Sequence, residues 1–420
     1  MTDEIKRKIN QINSGKIPEG YSKRRWILYP NDWNYVKLNT CLSENKERNK
    51  DGVYTKDDVL SVSGESGVVN QIEFMGRSYA GESVLPYHVV ETGDIVYTKS
   101  PLKQNPYGII KLNKGNPGIV STLYAVYHCC NPITAEYLNY FFEIDEYLNS
   151  YLFPLVKKGA KNDMKVNNED VIKGEIALPP IEEQEEIVKI LKQCDKVIKL
   201  KRKRIDEEKK LKKVLMQKFF DVKSINAKEV KLHSVCDFNL LNIAENTDAE
   251  TMFYYIDISC VENGNIMQPT NKIAFKDAPV RARKKFCKND ILMSTVRPNL
   301  HSFVLVDFDA NEYVCSTGFA VLTPKKQYHT EIIYQQLFSK KLDRQYNNLL
   351  VGTNYPALNT SDIKSLKVVI PTDDNECRMI SEVLSKQDEL ISSLNQELEF
   401  YLTKKKSLMQ LILTGIVRVK

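Results

Sequence analysis

The most constraining feature of this chain is that it repeats itself. The stretch ALPPIEEQEEIVKILKQCDKVI, Ala177 to Ile198, returns as VVIPTDDNECRMISEVLSKQDELI, Val368 to Ile391. Each starts as an apolar strand-like run, closes that run with proline, passes through acidic residues and opens a helix. At a separation of about 192 to 196 residues the correspondence covers most of the chain. Val36-Lys37-Leu38 returns as Val230-Lys231-Leu232, and Gly93-Asp94-Ile95-Val96 as Asn289-Asp290-Ile291-Leu292. Ser121 to Val126 returns as Ser316 to Val321, Gly159 as Gly352 and Asp170 as Asp362. Leu191, Asp195 and Leu215-Met216-Gln217 return as Leu384, Asp388 and Leu408-Met409-Gln410. A period this long implies duplicated domains, not a solenoid of short units.

The expected order is therefore globular half, long helix, globular half, long helix. The boundaries read as an N-terminal arm over 1–34, a first half over 35–178 and a helix over 179–222. A second half then spans 229–370, and a second helix with the C-terminal tail spans 371–420. The second helix has a seam at Ile380, Leu384, Gln387, Ile391, Leu394, Leu398, Tyr401, Lys405, Leu408 and Ile412. The first has Ile187, Leu191, Cys194, Ile198, Lys201, Ile205, Glu208, Lys212, Leu215 and Phe219. Steps of four and three make a heptad seam. Each helix should run about 40 residues, or roughly 60 Å. Neither seam should stay exposed, and a two-fold relation between duplicated domains makes the pairing antiparallel. The alternative is that each helix packs alone on its own domain. The run KLKRKR, Lys199 to Arg204, reads as a solvated helix face paired locally with Asp206-Glu207-Glu208, in preference to a phosphate stripe.

The globular halves mix short β-rich runs, such as GDIVYT and NDILMSTV, with a helix near 135–152 and its counterpart near 331–349. The fold class expected is α+β: two tandem domains of mixed sheet plus helices, each followed by a long helix, the two helices forming an antiparallel coiled coil. The helices keep the repeat over some forty residues, while the globular parts keep only scattered strands. A shared part suggests a common mechanical task, and a drifting part suggests two different targets.

The drifting loops carry residues suited to nucleic acid. TKSPLKQNPYG supplies Lys99, Lys103, Gln104, Asn105 and Tyr107, and STVRPNLHS supplies Arg297, Asn299 and His301. A second site in each half supplies Lys157, Lys158, Lys161 and Asn162, or Thr353, Asn354 and Tyr355. Arg281, Arg283, Lys284 and Lys285 add a basic stretch to the second half. Arg and Lys bond the edge of guanine, and Asn and Gln bond adenine. Each residue has the plainer alternative of a phosphate contact or an ordinary surface position. The net charge of +6 is compatible with a polyanion.

Other chemistries find little support. No GxxxxGK[ST] loop is present, and the histidines (His88, His128, His233, His301, His329) show no metal spacing. The nine cysteines form no CxxC pair, which suits reduced thiols in a cytosolic protein. Asn105-Pro106-Tyr107 reads as a turn and not as a methyltransferase box, since the second proline of that box is missing. Ser121 and Ser316 lack a matched His and Asp and read as packing residues. The charged start MTDEIKRKIN is no signal peptide, and no run of eighteen apolar residues occurs.

The duplicated unit ALPPIEEQEEIVKILKQCDKVIKL…LKKVLMQKFF, behind two globular halves, resembles the specificity subunit of type I DNA restriction–modification systems. The resemblance covers nearly the whole chain. Its most specific part is Leu178 to Ile187. The second copy departs there, with Pro371-Thr372 in place of Pro-Pro and Glu376 or Cys377 where Gln184 stood. The resemblance implies two target-recognition domains, each reading one half of a bipartite, asymmetric site on double-stranded DNA. The helices would act as a ruler and dock two methyltransferase subunits, with Ile187, Leu191, Ile198, Ile205, Leu215, Ile380, Leu384, Ile391, Leu398 and Leu408 in the coiled coil and docking surface. Catalysis would belong to partners: S-adenosylmethionine on the methyltransferase subunits, and cleavage on motor-nuclease subunits where present. Residues 1–30 lie outside the repeat and would complete the arrangement beside the C-terminal helix. A cytoplasmic bacterial or archaeal protein is implied. The competing readings are a specificity chain of another restriction enzyme type, a coiled-coil scaffold that binds no DNA, and a nucleic-acid enzyme in its own right.

Overall fold

Proline and acid set where the long helices begin. Pro179-Pro180 and Pro371 close the preceding strands, and Glu182 and Glu183, or Asp374 and Glu376, occupy the first helical turn. Carboxylates there complement the positive end of the helix dipole. No Gly or Pro interrupts either stretch, so each helix runs 39 residues, Ile181–Phe219 and Asp374–Ile412. The computed structural model describes residues 2–158, 164–222, 226–262, 264–350 and 357–419. They divide into two units, Met1–Lys201 with Glu397–Lys420, and Arg202–Gln396.

The first unit centres on a four-stranded antiparallel sheet, ordered Leu42–Glu44, Tyr124–Cys129, Ile95–Thr98, Ile109–Leu112. Asn34–Lys37 pairs with Glu175–Leu178, the strand that leads into the first long helix. The second unit repeats this plan. Its sheet runs Cys236–Phe238, Phe319–Pro324, Ile291–Ser294, Phe303–Leu305, and Ala227–Lys231 pairs with Lys367–Pro371.

Small details repeat with the strands. Gly93 and Asn289 both have positive φ, 96° and 72°, and Asn is among the few residues that tolerate that backbone. The next residue is buried in each copy. Asp94 Oδ2 accepts from the Glu91 amide at 2.9 Å, and Asp290 Oδ2 from the Cys287 amide at 2.7 Å. Ser121 Oγ accepts from the Leu123 amide and Ser316 Oγ from the Gly318 amide, at 3.3 and 3.1 Å. Both serines thus shape the turn before a central strand.

Two features differ from the sequence reading. The single helix expected in each half is a pair, Pro132–Phe141 with Asp145–Leu152, and Thr330–Leu337 with Lys340–Leu349. In the first pair Ile144 is extended and Asp145 and Glu146 open a new first turn. In the second pair the Ser339 side chain caps the new helix by accepting from the Leu342 amide. The second unit also holds a five-stranded sheet built on Met252–Ile256, Ala282–Lys285 and Tyr313–Ser316, with one parallel pairing. Among the described residues the first unit has smaller pairs instead, Leu60–Ser63 with Gly67–Asn70 and His88–Val90 with Gly118–Val120. The halves diverge most here.

The N-terminal arm folds onto the end of the second long helix. After the helix Asp3–Asn13, a hairpin of Tyr21–Arg24 and Ile27–Pro30 brings the Tyr21 hydroxyl to donate to the Gly415 carbonyl at 2.6 Å. Gly415 has φ +68°, and an added Cβ would fall 2.4 Å from Pro30. Arg418 closes the knot, with Nη1 and Nη2 on the Asp32 carboxylate and Nε and Nη2 on Glu183. Trp33 Nε1 donates to the same buried Glu183 at 3.0 Å. Arm, tail and the start of the first long helix therefore share one charged centre.

His88 gives the first unit a measurable acid sensitivity. Burial, then Arg48, pushes its pKa down from 6.5 to about 4. Below pH 6.5 the unfolded chain takes up a proton that the folded chain refuses, so stability falls as pH drops from about 6.5 toward 4. At pH 5 the loss is about 2 kcal/mol. Urea unfolding at pH 7 and pH 5 should show this loss in the parent and a smaller one in His88→Gln. An equal loss in both would place the acid sensitivity elsewhere.

Candidate nucleic-acid interface

The loops that carry the expected readers are hairpin tips of the repeated sheet. In the first unit, residues 99–108 join Ile95–Thr98 to Ile109–Leu112. The Leu102 and Gly108 amides both donate to the Asn105 carbonyl, and the Tyr97 hydroxyl donates to the Tyr107 carbonyl at 2.7 Å. Gly108 closes the tip at φ +92°, where a Cβ would lie 2.0 Å from the Thr98 carbonyl. Pro106 and Tyr107 form the expected turn. Lys103 and Gln104 stand exposed at the tip, and Lys99 and Tyr107 are half-buried at its base. Asn105 differs. It is buried, and its Nδ2 donates to Asp145 Oδ1 at 2.9 Å. The sequence placed Asn105 among the DNA-binding residues, but its amide nitrogen is committed inside the protein.

In the second unit, residues 295–302 join Ile291–Ser294 to Phe303–Leu305. The Thr295 amide and hydroxyl both reach the Gly318 carbonyl, at 2.8 and 2.9 Å. A short 3-10 turn, Pro298–Leu300, lies between Arg297 and His301, both left-handed at φ 49° and 53°. Arg297 and Asn299 are exposed. His301 turns inward, with Nε2 2.6 Å from Asp343 Oδ1 and its ring against Phe303 and Phe338. Val296 pairs with Ala357, and the Leu358 amide donates to the Thr295 carbonyl, so this tip and the chain just after 351–356 are brought together.

The second expected site in each half lies largely outside the described residues: Lys161, Asn162, Thr353, Asn354 and Tyr355. Lys157–Lys158 is a strand paired with Met164–Lys165, but the side chains there are not among those described. In the basic stretch Arg281 and Lys285 are exposed, while the Arg283 guanidinium lies 5.2 Å from the Phe275 ring centre. Lys284 is drawn inward to the Phe319 carbonyl, and burial pushes its pKa down. It braces the turn before a central strand, which corrects its assignment to the DNA-facing set.

Within each unit the long helices pair, and the seam charges find partners. In the first unit Lys201 meets Glu397 at 2.6 Å, and Lys405 meets Asp195 at 2.7 Å and Glu143 at 2.8 Å. Burial opposes the Lys405 charge, yet the two carboxylates outweigh it and hold its pKa above the ordinary lysine value. Asp195 also accepts from the Tyr140 hydroxyl at 2.7 Å. The second unit mirrors this: Lys212 meets Asp388 at 2.5 Å, and Gln335 donates to the same carboxylate. The rising numbers on one helix meet falling numbers on the other, so the pair is antiparallel.

The expected seam residues are mostly covered. Ile187 and Leu191, and Ile380 and Leu384, are fully buried in the cores of their own globular halves. Ile198, Ile205 and Ile391 are also buried, and Leu215, Leu398 and Leu408 are half-buried. The seam thus offers little open surface. The helices expose other apolar residues instead: Val197, Leu200, Leu211 and Val214 on the first, Met379, Val383, Leu390 and Phe400 on the second. The signal was present as apolar pairs three or four apart outside the heptad. The KLKRKR run is split as expected, with Lys203 and Arg204 pairing with Glu207 and Glu208. Among the described residues no acidic, histidine or cysteine group of three could hold a metal, and no helix is long and apolar enough to cross a membrane.

The family model of the type I restriction modification DNA specificity domain matches twice, over residues 88–209 and 225–400. The chain belongs to this family. Each match takes in a tip loop, the strands that flank it and most of the long helix that follows. Among relatives of the specificity family, the putative type I restriction enzyme MjaX specificity subunit of Methanocaldococcus jannaschii is 24% identical over 437 aligned positions, covering 96% of this chain and 97% of the relative. The MjaVIII specificity subunit of the same organism is 25% identical over 266, covering 58% of this chain and 62% of the relative. The crystal structure of a type I restriction-modification S subunit from M. genitalium superposes with TM-score 0.55 at 13% identity, over 90% of this chain and 96% of that one. It shares the fold: two mixed domains and a long helix pair.

Proposed function

We propose that this chain is the subunit that chooses the DNA sequence for a type I restriction–modification assembly, and that each tip loop reads one half of a bipartite, asymmetric site. One observation carries the reading. The same strand–loop–strand hairpin is built twice on the same sheet plan, yet the exposed tips differ: Lys103 and Gln104 in one, Arg297 and Asn299 in the other. A repeated frame with different polar tips suits two half-sites of different sequence. Lys158, Lys161 and Asn162, and Thr353, Asn354 and Tyr355, add to the reading of their own half-sites by the chemistry of their side chains, with Arg281 supplying a phosphate contact. Lys99 and Tyr107 shape the base of the first tip.

The helix pair holds the halves at a set separation and leaves the bases between them unread. Its exposed apolar residues, and not the closed seam, dock two methyltransferase subunits. Those subunits carry S-adenosylmethionine and methylate adenine, and a motor-nuclease subunit supplies cleavage where one is present. This chain contributes recognition and no chemistry, in the cytoplasm of a bacterium or archaeon.

The test is a map of methylated adenines in a strain carrying the gene, with and without it. A split motif of two unlike halves should disappear on deletion. Loss of no motif, together with purified protein that shows no salt-dependent DNA affinity, would favour a protein scaffold instead.

A further inference from the structure

Each tip loop turns one polar side chain into the protein, and each time it meets the helix behind it. Asn105, 7% exposed, places Nδ2 2.9 Å from Asp145 Oδ1. His301 places Nε2 2.6 Å from Asp343 Oδ1. The supporting helices, Asp145–Leu152 and Lys340–Leu349, are seated by equivalent buried leucines, Leu148 and Leu342. The next residue reaches the loop in both. Asn149 Nδ2 donates to the Gln104 carbonyl at 3.0 Å, and Asp343 holds His301. Two loops of unrelated sequence are thus propped by equivalent helices, at the equivalent positions of Asn149 and Asp343, with Asp145 adding a second hold in the first.

The prop matters because of what the tips must do. Telling one base pair from another needs hydrogen bonds aimed within a narrow cone, whereas attraction to phosphate tolerates a swinging side chain. A reading loop must therefore be stiff before it meets DNA. The second tip has an added need, since Arg297 and His301 both hold a left-handed backbone that side chains rarely adopt. Such a backbone persists only where its surroundings over-determine it. The His301 ring, wedged against Phe303 and Phe338 and tied to Asp343, supplies that constraint.

We propose that Asp343 in one half, and Asp145 with Asn149 in the other, are positioning residues that set how strictly each half-site is read. Asn105 and His301 anchor the loops and do not contact bases. The inference rests on the tip loops touching DNA, as proposed above.

The test uses the gene in its own strain, with its partners present, and reads genome-wide adenine methylation. Asp343→Ala should raise methylation at sites carrying one mismatch in a single half by about fivefold or more, with the other half unchanged. Asp145→Ala should relax the opposite half. Asp343→Asn still accepts from the imidazole N–H and should keep the parental profile. Affinity of the purified complex for non-specific DNA, and its salt slope, should stay as in the parent for all three. An unchanged profile in Asp343→Ala, or equal relaxation of both halves, would overturn the idea. Should Asp343→Ala fail to accumulate as folded protein, His301→Asn breaks the contact from the loop side and is judged by the same outcomes. Arg297→Ala separates the two levels. If it alters neither half, the loops do not read DNA; if it alters one half and Asp343→Ala alters none, only the prop is wrong.

Discussion

Arg297→Ala is expected to blunt recognition of one half-site and leave the other as it was. The guanidinium stands exposed at the tip of the second hairpin, where a planar fork of donors can grip a guanine edge. Losing such a bidentate contact costs about 1–3 kcal/mol of discrimination, or roughly 5- to 150-fold, at one base pair. Alanine keeps the left-handed backbone cost at this position without the side chain, so the loop gains no new freedom from the change. Competition between the parental site and single-base variants, read as relative methylation, gives the answer. If Arg297 touches phosphate, affinity should fall alike for all sequences and the salt slope should drop by about one. Equal loss at both halves would mean the two loops do not act separately.

The long helices could be read from sequence because a heptad is a local pattern. Its apparent flaws could not be resolved locally. Lys201, Glu208 and Lys212 look like weak points in the first seam, yet their partners are Glu397, Gln387 and Asp388 on the other helix. Nothing short-range announces pairs so far apart in the chain. The tips were legible as polar loops between strands, but a sequence shows a side chain's chemistry and not its direction. Asn105 and His301 have the right chemistry for bases and point the wrong way. The same limit applied to the helix faces. The periodic residues were found, and burial then showed that they line the largely covered face while apolar residues off the heptad stay exposed. The knot of Arg418, Glu183, Trp33 and Asp32 joins three segments that share no motif, and with the Tyr21 hydroxyl on the Gly415 carbonyl it shows what only the fold reveals, why the N-terminal arm belongs beside the C-terminal helix.

Removing one heptad from each long helix should yield a protein that reads the same two half-sites across a shorter gap. Seven residues span about 10 Å of helix, and base pairs stack every 3.4 Å or so, which predicts a gap shorter by about three base pairs. Seven is the right length because the seam then keeps its phase and the two helices can pair again. Both helices must be cut together. Shortening one alone would pull Lys405 from Asp195, or Lys212 from Asp388, and leave half-buried charges unpaired, at a cost of several kcal/mol. A shorter gap also turns the second half-site around the DNA axis by roughly 100°, given about 10.5 base pairs per turn. The heptad cut rotates the helix by only about 20°, so methylation should be slower than in the parent. The motif map of a strain carrying the double deletion is the measurement. A shortened gap between unchanged halves would make the helix pair the ruler. Altered half-site sequences across an unchanged gap would show that the spacing is held elsewhere.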